Sequence, residues 1–150
     1  MESPDTMENL EQSIAALQKT LEEHTLERSP MDYAATQTSL GEAYRRLAEH
    51  REEPWRYLRK SIVAYQEALK VYTRDQFRIE YARTTGNLAV SYGELAWVGI
   101  RMDPCLLARK CIHEALDILT EKEFPQDHQK FQKARERIEE IYDRVRWELM

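Results

Sequence analysis

Tyr81 to Ala96 reads YARTTGNLAVSYGELA, and it repeats an earlier stretch, Tyr33 to Ala48, YAATQTSLGEAYRRLA. Tyr, Ala, Thr, Leu, Tyr, Leu and Ala recur at matching places. Leu40 to Leu88 and Tyr44 to Tyr92 both give a spacing of 48. A fixed period of this size is the mark of stacked helical hairpins, because one hairpin cannot bury its apolar face alone and stacked copies can. The repeat extends outward. Glu67-Ala68-Leu69 returns as Glu114-Ala115-Leu116 and Phe77 as Phe124, both 47 residues on, while Leu17 and Leu21 match Tyr65 and Leu69 at 48. The order predicted is a B-type helix, two A–B hairpins, and a closing A-type helix.

Prolines and apolar spacing set the helix limits. Proline suits a helix start because its missing N–H has no intrahelical partner there. Pro4, Pro30, Pro54, Pro104 and Pro125 mark five starts, and a sixth falls near Asp75 and Gln76. Ser29 is the expected N-cap of the second helix, and Asp5 with Glu8 forms a capping-box pattern in the first. Apolar residues three and four apart fill the segments between these marks, most regularly Trp55, Leu58, Ile62, Tyr65, Leu69 and Tyr72. The spacing predicts helices over 6–26, 30–50, 54–73, 76–98, 104–121 and 125–148. Gly41, Gly86 and Gly93 fall inside helices, where glycine costs about 1 kcal/mol against alanine. Close approach of a neighbouring helix is the expected compensation. Gly99 is the expected left-handed end of the fourth helix.

Composition agrees with an all-α chain: 150 residues, 33% charged, with 4 Gly and 5 Pro. The net charge of −5 resides in residues 1–30, and the other 120 carry 20 acids and 20 bases. Such a balance gives no long-range attraction for phosphate, which argues against a nucleic-acid partner. No apolar run reaches the roughly 20 residues needed to span a bilayer. The acidic start MESPDTMENLEQ has no apolar core of a signal peptide. Two cysteines, Cys105 and Cys111, make no disulfide framework, so a cytoplasmic setting is expected.

Leu40-Gly41-x-x-Tyr44 and Leu88-Ala89-x-x-Tyr92 resemble the core of the tetratricopeptide (TPR) signature, and Ser61…Tyr65…Ala68 and Ala108…Ile112…Ala115 resemble its second half. The chain is similar to the long-period TPR arrays of bacteria and archaea over about residues 9–145. It departs from the signature where Gln37 and Thr85 stand for Trp, where Thr73 stands near the place of Pro, and in its period of 47–48 rather than 34. The resemblance implies an α-α superhelix of about six antiparallel helices, a single domain over 9–150 after a flexible segment 1–8. It also implies a non-enzymatic adaptor or scaffold that binds a partner protein or peptide on a concave face lined by helices 30–50 and 76–98. Carried over by position, that face includes Ala35, Thr38, Glu42, Arg45 and Arg46, then Arg83, Gly86, Asn87, Val90 and Glu94. The resemblance would let Arg45, Arg83 and Asn87 hold a carboxylate, with Glu42 and Glu94 opposing; the alternative for these residues is a mixed solvated face. The alternative is a self-associating protein that forms a homodimer through an exposed terminal helix, along the stripe Phe131–Ile138–Val145.

Other residue groups carry little. Cys111 and His113 lie two apart and face different ways on a helix; no His or Cys pair has zinc spacing, and no cofactor or metal is expected. Cys105 stands at a helix start, where a thiol's pKa can fall. There is no phosphate loop, nucleophile elbow or HExxH motif. Arg45 to Lys60 holds six bases with Trp55 and Tyr57 among them. In the reading preferred here, Trp55 packs into the core and the charges are solvated.

Overall fold

The computed structural model describes residues 4–150, with side chains from Thr6 onward. The expected Asp5–Glu8 capping box and residues 1–3 of the expected flexible segment lie outside what is described. Six helices and no strand are found among the described residues: α1 Pro4–Glu23, α2 Pro30–Ala48, α3 Pro54–Ala68, α4 Arg78–Gly99, α5 Met102–Ile118 and α6 Pro125–Glu148. The fold is all-α. Helix α1 begins at Pro4, two residues before the start expected from the spacing. The chain divides into two compact units, one ending at Val71 and one beginning at Tyr72.

In the first unit, α2 and α3 form a hairpin and α1 packs on α2. The two helices run antiparallel: Tyr33 at the start of α2 meets Glu67 at the end of α3, and Gly41 meets Ser61 and Tyr65. Leu10, Ile14, Leu40, Ala43, Leu47 and Ala64 form the core, with Leu17, Leu21, Tyr44 and Tyr57 against it. Gly41 explains itself here. A Cβ on it would stand 2.6 Å from the Tyr65 ring, which is buried, so only glycine lets α3 come this close. The Ser61 hydroxyl donates to the Gly41 carbonyl at 2.7 Å across the same contact.

In the second unit, α4 and α5 form the matching hairpin and α6 packs on both. Phe131 of α6 fills the notch at Gly86, where a Cβ would lie 2.5 Å from its ring. Ala82, Ala89, Ala108, Ile112, Leu119, Phe131 and Ile138 are all buried there. A second cluster, Ala96, Cys105, Ile141 and Val145, closes the far end.

Three turns lead from a B-type to an A-type helix, and all three are built alike. The backbone N–H of Arg28, Gln76 and Glu123 donates to the side-chain oxygen of Thr25, Thr73 and Thr120 at 3.2, 3.4 and 3.3 Å. One residue later, Ser29, Phe77 and Phe124 donate to the carbonyls of those threonines at 2.8–3.0 Å. A threonine hydroxyl that holds a nearby N–H is a stable way to leave a helix and re-enter the next one. The threonines stand 48 and 47 residues apart, in the register of the repeat.

Several helix ends differ from expectation. Ser29 makes no side-chain cap bond, because the turn is already held by Thr25. Helix α3 stops at Ala68 rather than 73. Its last turn tightens, with Lys70 and Val71 bonding three residues back, and Tyr72 leaves to pack edge-on against Phe77. Helix α5 begins at Met102, so Pro104 occupies its third position, where the N–H is still without a helical partner. Gly99 remains helical and Ile100 takes the left-handed conformation, φ 48° and ψ 58°. A β-branched residue there is strained by about 1–2 kcal/mol. The Ile100 side chain packs on the Ala96–Cys105–Ile141–Val145 cluster, which offsets the cost.

Candidate partner-binding surface

The ten residues expected to face a partner fall five to each unit, and one of them, Gly86, lies against the Phe131 ring. On α2, Ala35 and Glu42 are exposed. The Thr38 hydroxyl donates to the Ala34 carbonyl at 2.9 Å, and Arg45 pairs with Glu49 at 3.2 Å. On α4, the Arg83 guanidinium is held by Asp127 of α6 at 2.9 Å, and Asn87 accepts from Lys130 at 3.1 Å. Neither arginine stands ready for a carboxylate, since each already has one.

Val90 and Glu94 lead to something the sequence reading did not isolate. Helices α4 and α6 run parallel, as the pairs Arg83–Asp127, Asn87–Lys130 and Trp97–Arg144 show. A cavity of about 190 Å³ opens between them, lined by Val90, Gly93, Glu94 and Trp97 from α4 and by Arg137, Ile138 and Ile141 from α6. Gly93 makes the space: a Cβ there would stand 3.2 Å from Ile138. The Trp97 ring forms the rim. Arg137 and Arg144 lie over it at 4.5 and 3.8 Å from the ring centre, distances at which a cation is drawn to an indole. Trp97 lies within α4, inside the helix expected over 76–98. Its distance of seven residues from Val90 and four from Gly93 puts it on their face, and that spacing was there to be read.

The basic segment also differs from expectation. Trp55 is 42% exposed and outside the core, with Arg56 and Arg59 over its ring at 5.7 and 5.3 Å. It occupies the first turn of α3. The stripe Phe131–Ile138–Val145 is 1–2% exposed, packed inside its own unit, so it offers no surface to a second chain. The apolar residues α6 does expose are Trp147, Leu149 and Met150 around its end.

Each hairpin carries the same tyrosine–glutamate bond. Tyr33 donates to Glu67 at 2.9 Å, and Tyr81 to Glu114 at 2.6 Å. Burial, then the Glu67 carboxylate, pushes the Tyr33 phenol up; for Tyr81 the bond to Glu114 is the larger cause and burial the next. Lys70 donates to Glu67 as well and holds that carboxyl below its usual range. Cys105 is buried, and burial pushes its thiol up despite its place near a helix start. Burial raises Cys111 to about 11. Among the described residues no three His, Cys, Asp or Glu side chains gather to hold a metal ion, and no helix is long and apolar enough to cross a membrane.

No family model matches the chain, and neither a curated protein nor a solved structure matches it.

Proposed function

We propose that this chain is a TPR-like, non-enzymatic protein-interaction module, and that a partner protein docks on the face of α4 beside α6. The reading is supported by the repeat, which carries the same turn threonine and the same tyrosine–glutamate bond in both hairpins. A helical stack built on such a repeat commonly serves as a rigid platform for another protein. One observation carries the site: the cavity between α4 and α6, with a floor of Gly93, Ile138 and Ile141 and a rim made of Trp97 under two arginines. An apolar space with an aromatic and arginine rim has the make-up of an interaction hot spot, where one partner side chain is buried and water is excluded around it.

The test is affinity capture from cell extract, with the full chain and a Val90→Glu, Trp97→Ala variant side by side. Both must show the same helical circular dichroism. A partner captured by the natural chain and lost by the variant supports the site. A partner retained equally by both moves the contact to another face, and capture of nothing sinks the reading. A second reading rests on Trp147, 76% exposed near the end of α6: self-association through that end. Sedimentation equilibrium decides it, because a strict monomer at high concentration excludes a homodimer.

A further inference from the structure

The first unit holds an open groove of about 580 Å³ that the proposed site does not use. Helices α1 and α3 both border α2 without packing on each other, and the groove runs between them. Its floor is Leu40 and Tyr44 of α2. Leu21 of α1 forms one wall, and Val63 of α3, 55% exposed, forms the other. The floor runs along α2 from Tyr33 to Tyr44, which at the helical rise is roughly 16 Å, or about three turns. A channel of that length between two helices has the dimensions of a seat for a third.

Charge selects the occupant. Arg59 and Lys60 stand on the α3 side of the groove, both exposed. Among the described residues neither has a carboxylate partner. Arg59 lies over Trp55, and Lys60 lies over the rings of Tyr44 and Tyr57 at 5.6 and 5.7 Å. The acid in the groove, Glu67, is already engaged by Tyr33 and Lys70. The repeat supplies the control. Forty-seven residues on, the positions of Arg59 and Lys60 are Leu106 and Leu107, so the hairpin does not need cations there to fold. Two unpaired cations beside exposed apolar surface are complementary to an apolar stripe flanked by acids.

We infer that the α1–α3 groove binds an acidic amphipathic helix, whose apolar side chains lie on Leu40, Tyr44 and Val63 and whose carboxylates meet Arg59 and Lys60. This is a second docking surface, on a different unit from the α4–α6 site, and it stands or falls separately from it.

The test is selection of helical peptides from a displayed library against the full chain, followed by fluorescence anisotropy on the enriched peptides. Enriched sequences should carry apolar residues three and four apart with glutamate or aspartate beside them. Their binding should weaken about tenfold or more in an Arg59→Glu, Lys60→Glu variant. It should fall similarly in Val63→Asp and survive Trp97→Ala. All these positions are exposed, so the variants should keep the natural helical signal. Basic or uncharged winners, equal binding by the charge-reversed chain, or no enrichment at all would overturn the assignment. It is also overturned if the natural chain proves to be a dimer that charge reversal dissociates, since a second copy then fills the groove. Binding of a labelled oligothymidine that is lost in the same variant would give the surface to nucleic acid instead.

Discussion

The hairpins α2–α3 and α4–α5 are two copies of one design that have been finished differently. Both close on a tyrosine–glutamate bond, both bury a small residue of the A helix in the same core as a large side chain of the B helix (Gly41 with Tyr65, Ala89 with Ile112), and both are led into by a threonine turn. What differs is the third helix. Helix α6 packs on both members of its hairpin and sends Phe131 into the notch at Gly86. Helix α1 packs on α2 alone and leaves a groove beside α3. The repeat therefore specifies the hairpin, and the flanking helix decides which surfaces remain open. Functional surface should be sought where the copies diverge, at Arg59 and Lys60 against Leu106 and Leu107, and at Trp97.

The comparison breaks first at Phe131. If α6 is held chiefly by the ring in the Gly86 notch, Phe131→Ala should cost about 3–5 kcal/mol in urea unfolding, because it removes a fully buried aromatic side chain. A loss under about 1 kcal/mol would mean that α6 is held elsewhere. In the first unit, α1 rests on α2 alone, so its amides should exchange with solvent faster than those of α6.

The glycine contacts come next in size. Alanine in a helix normally gains about 1 kcal/mol over glycine. At Gly41 and Gly86 the added methyl meets buried rings at 2.6 and 2.5 Å, and neither ring has space to retreat. Overpacking of this kind costs about 1–3 kcal/mol. Gly41→Ala and Gly86→Ala should therefore both lower the melting temperature, and a rise in either would refute the close packing of that pair.

The shared tyrosine–glutamate bond offers a finer test. Glu67 has a second donor in Lys70, whereas no other donor to Glu114 is seen among the described residues. Tyr81→Phe should thus cost about 1–2 kcal/mol and Tyr33→Phe less than about 1. Equal losses would show that Lys70 adds nothing to the first copy.

Much of this was legible in the sequence, for reasons that differ by feature. Residue spacing reports helices directly, so the prolines and the 47–48 register located all six, and the interior glycines pointed correctly to close contacts. The turn threonines were equally visible at 25, 73 and 120, but a lone threonine carries no strong turn signal, and only the repeat makes it one. Helix ends were read less well. Ile100 rather than Gly99 takes the left-handed position because the cluster of Ala96, Cys105, Ile141 and Val145 rewards its side chain, and that is a tertiary fact. Periodicity likewise put Trp55 in the core, since it fits the α3 stripe, but in the first turn of that helix it stays exposed with Arg56 and Arg59 over its ring. Of the residues expected to face a partner from α4, Arg83 and Asn87 are engaged by α6, and no local pattern reveals which neighbour a charged side chain will choose.

The smallest effect concerns the position where the first copy has Ala64 and the second Cys111. Both pack beside the same kind of tyrosine-lined A helix, and alanine fits the first copy with no loss of burial. Cys111→Ala should therefore change stability at pH 7 by less than about 1 kcal/mol. The pH profile separates the two residues. Burial holds the Cys111 thiol at about 11, against an ordinary value of 9.0 in the unfolded chain. Between those values the unfolded chain releases the proton and the folded chain keeps it, so unfolding is favoured as pH rises. The stability the neutral thiol supports is fully present below pH 9 and is lost as pH climbs through about 11. The Tyr33 and Tyr81 phenols, also raised, act in the same direction from pH 10 upward and remain in the variant. Urea midpoints measured from pH 8 to 10 should consequently fall more steeply for the natural chain than for Cys111→Ala. Parallel profiles would show that the α4–α5 hairpin opens to water at Cys111, and that the second copy is no better covered there than the first.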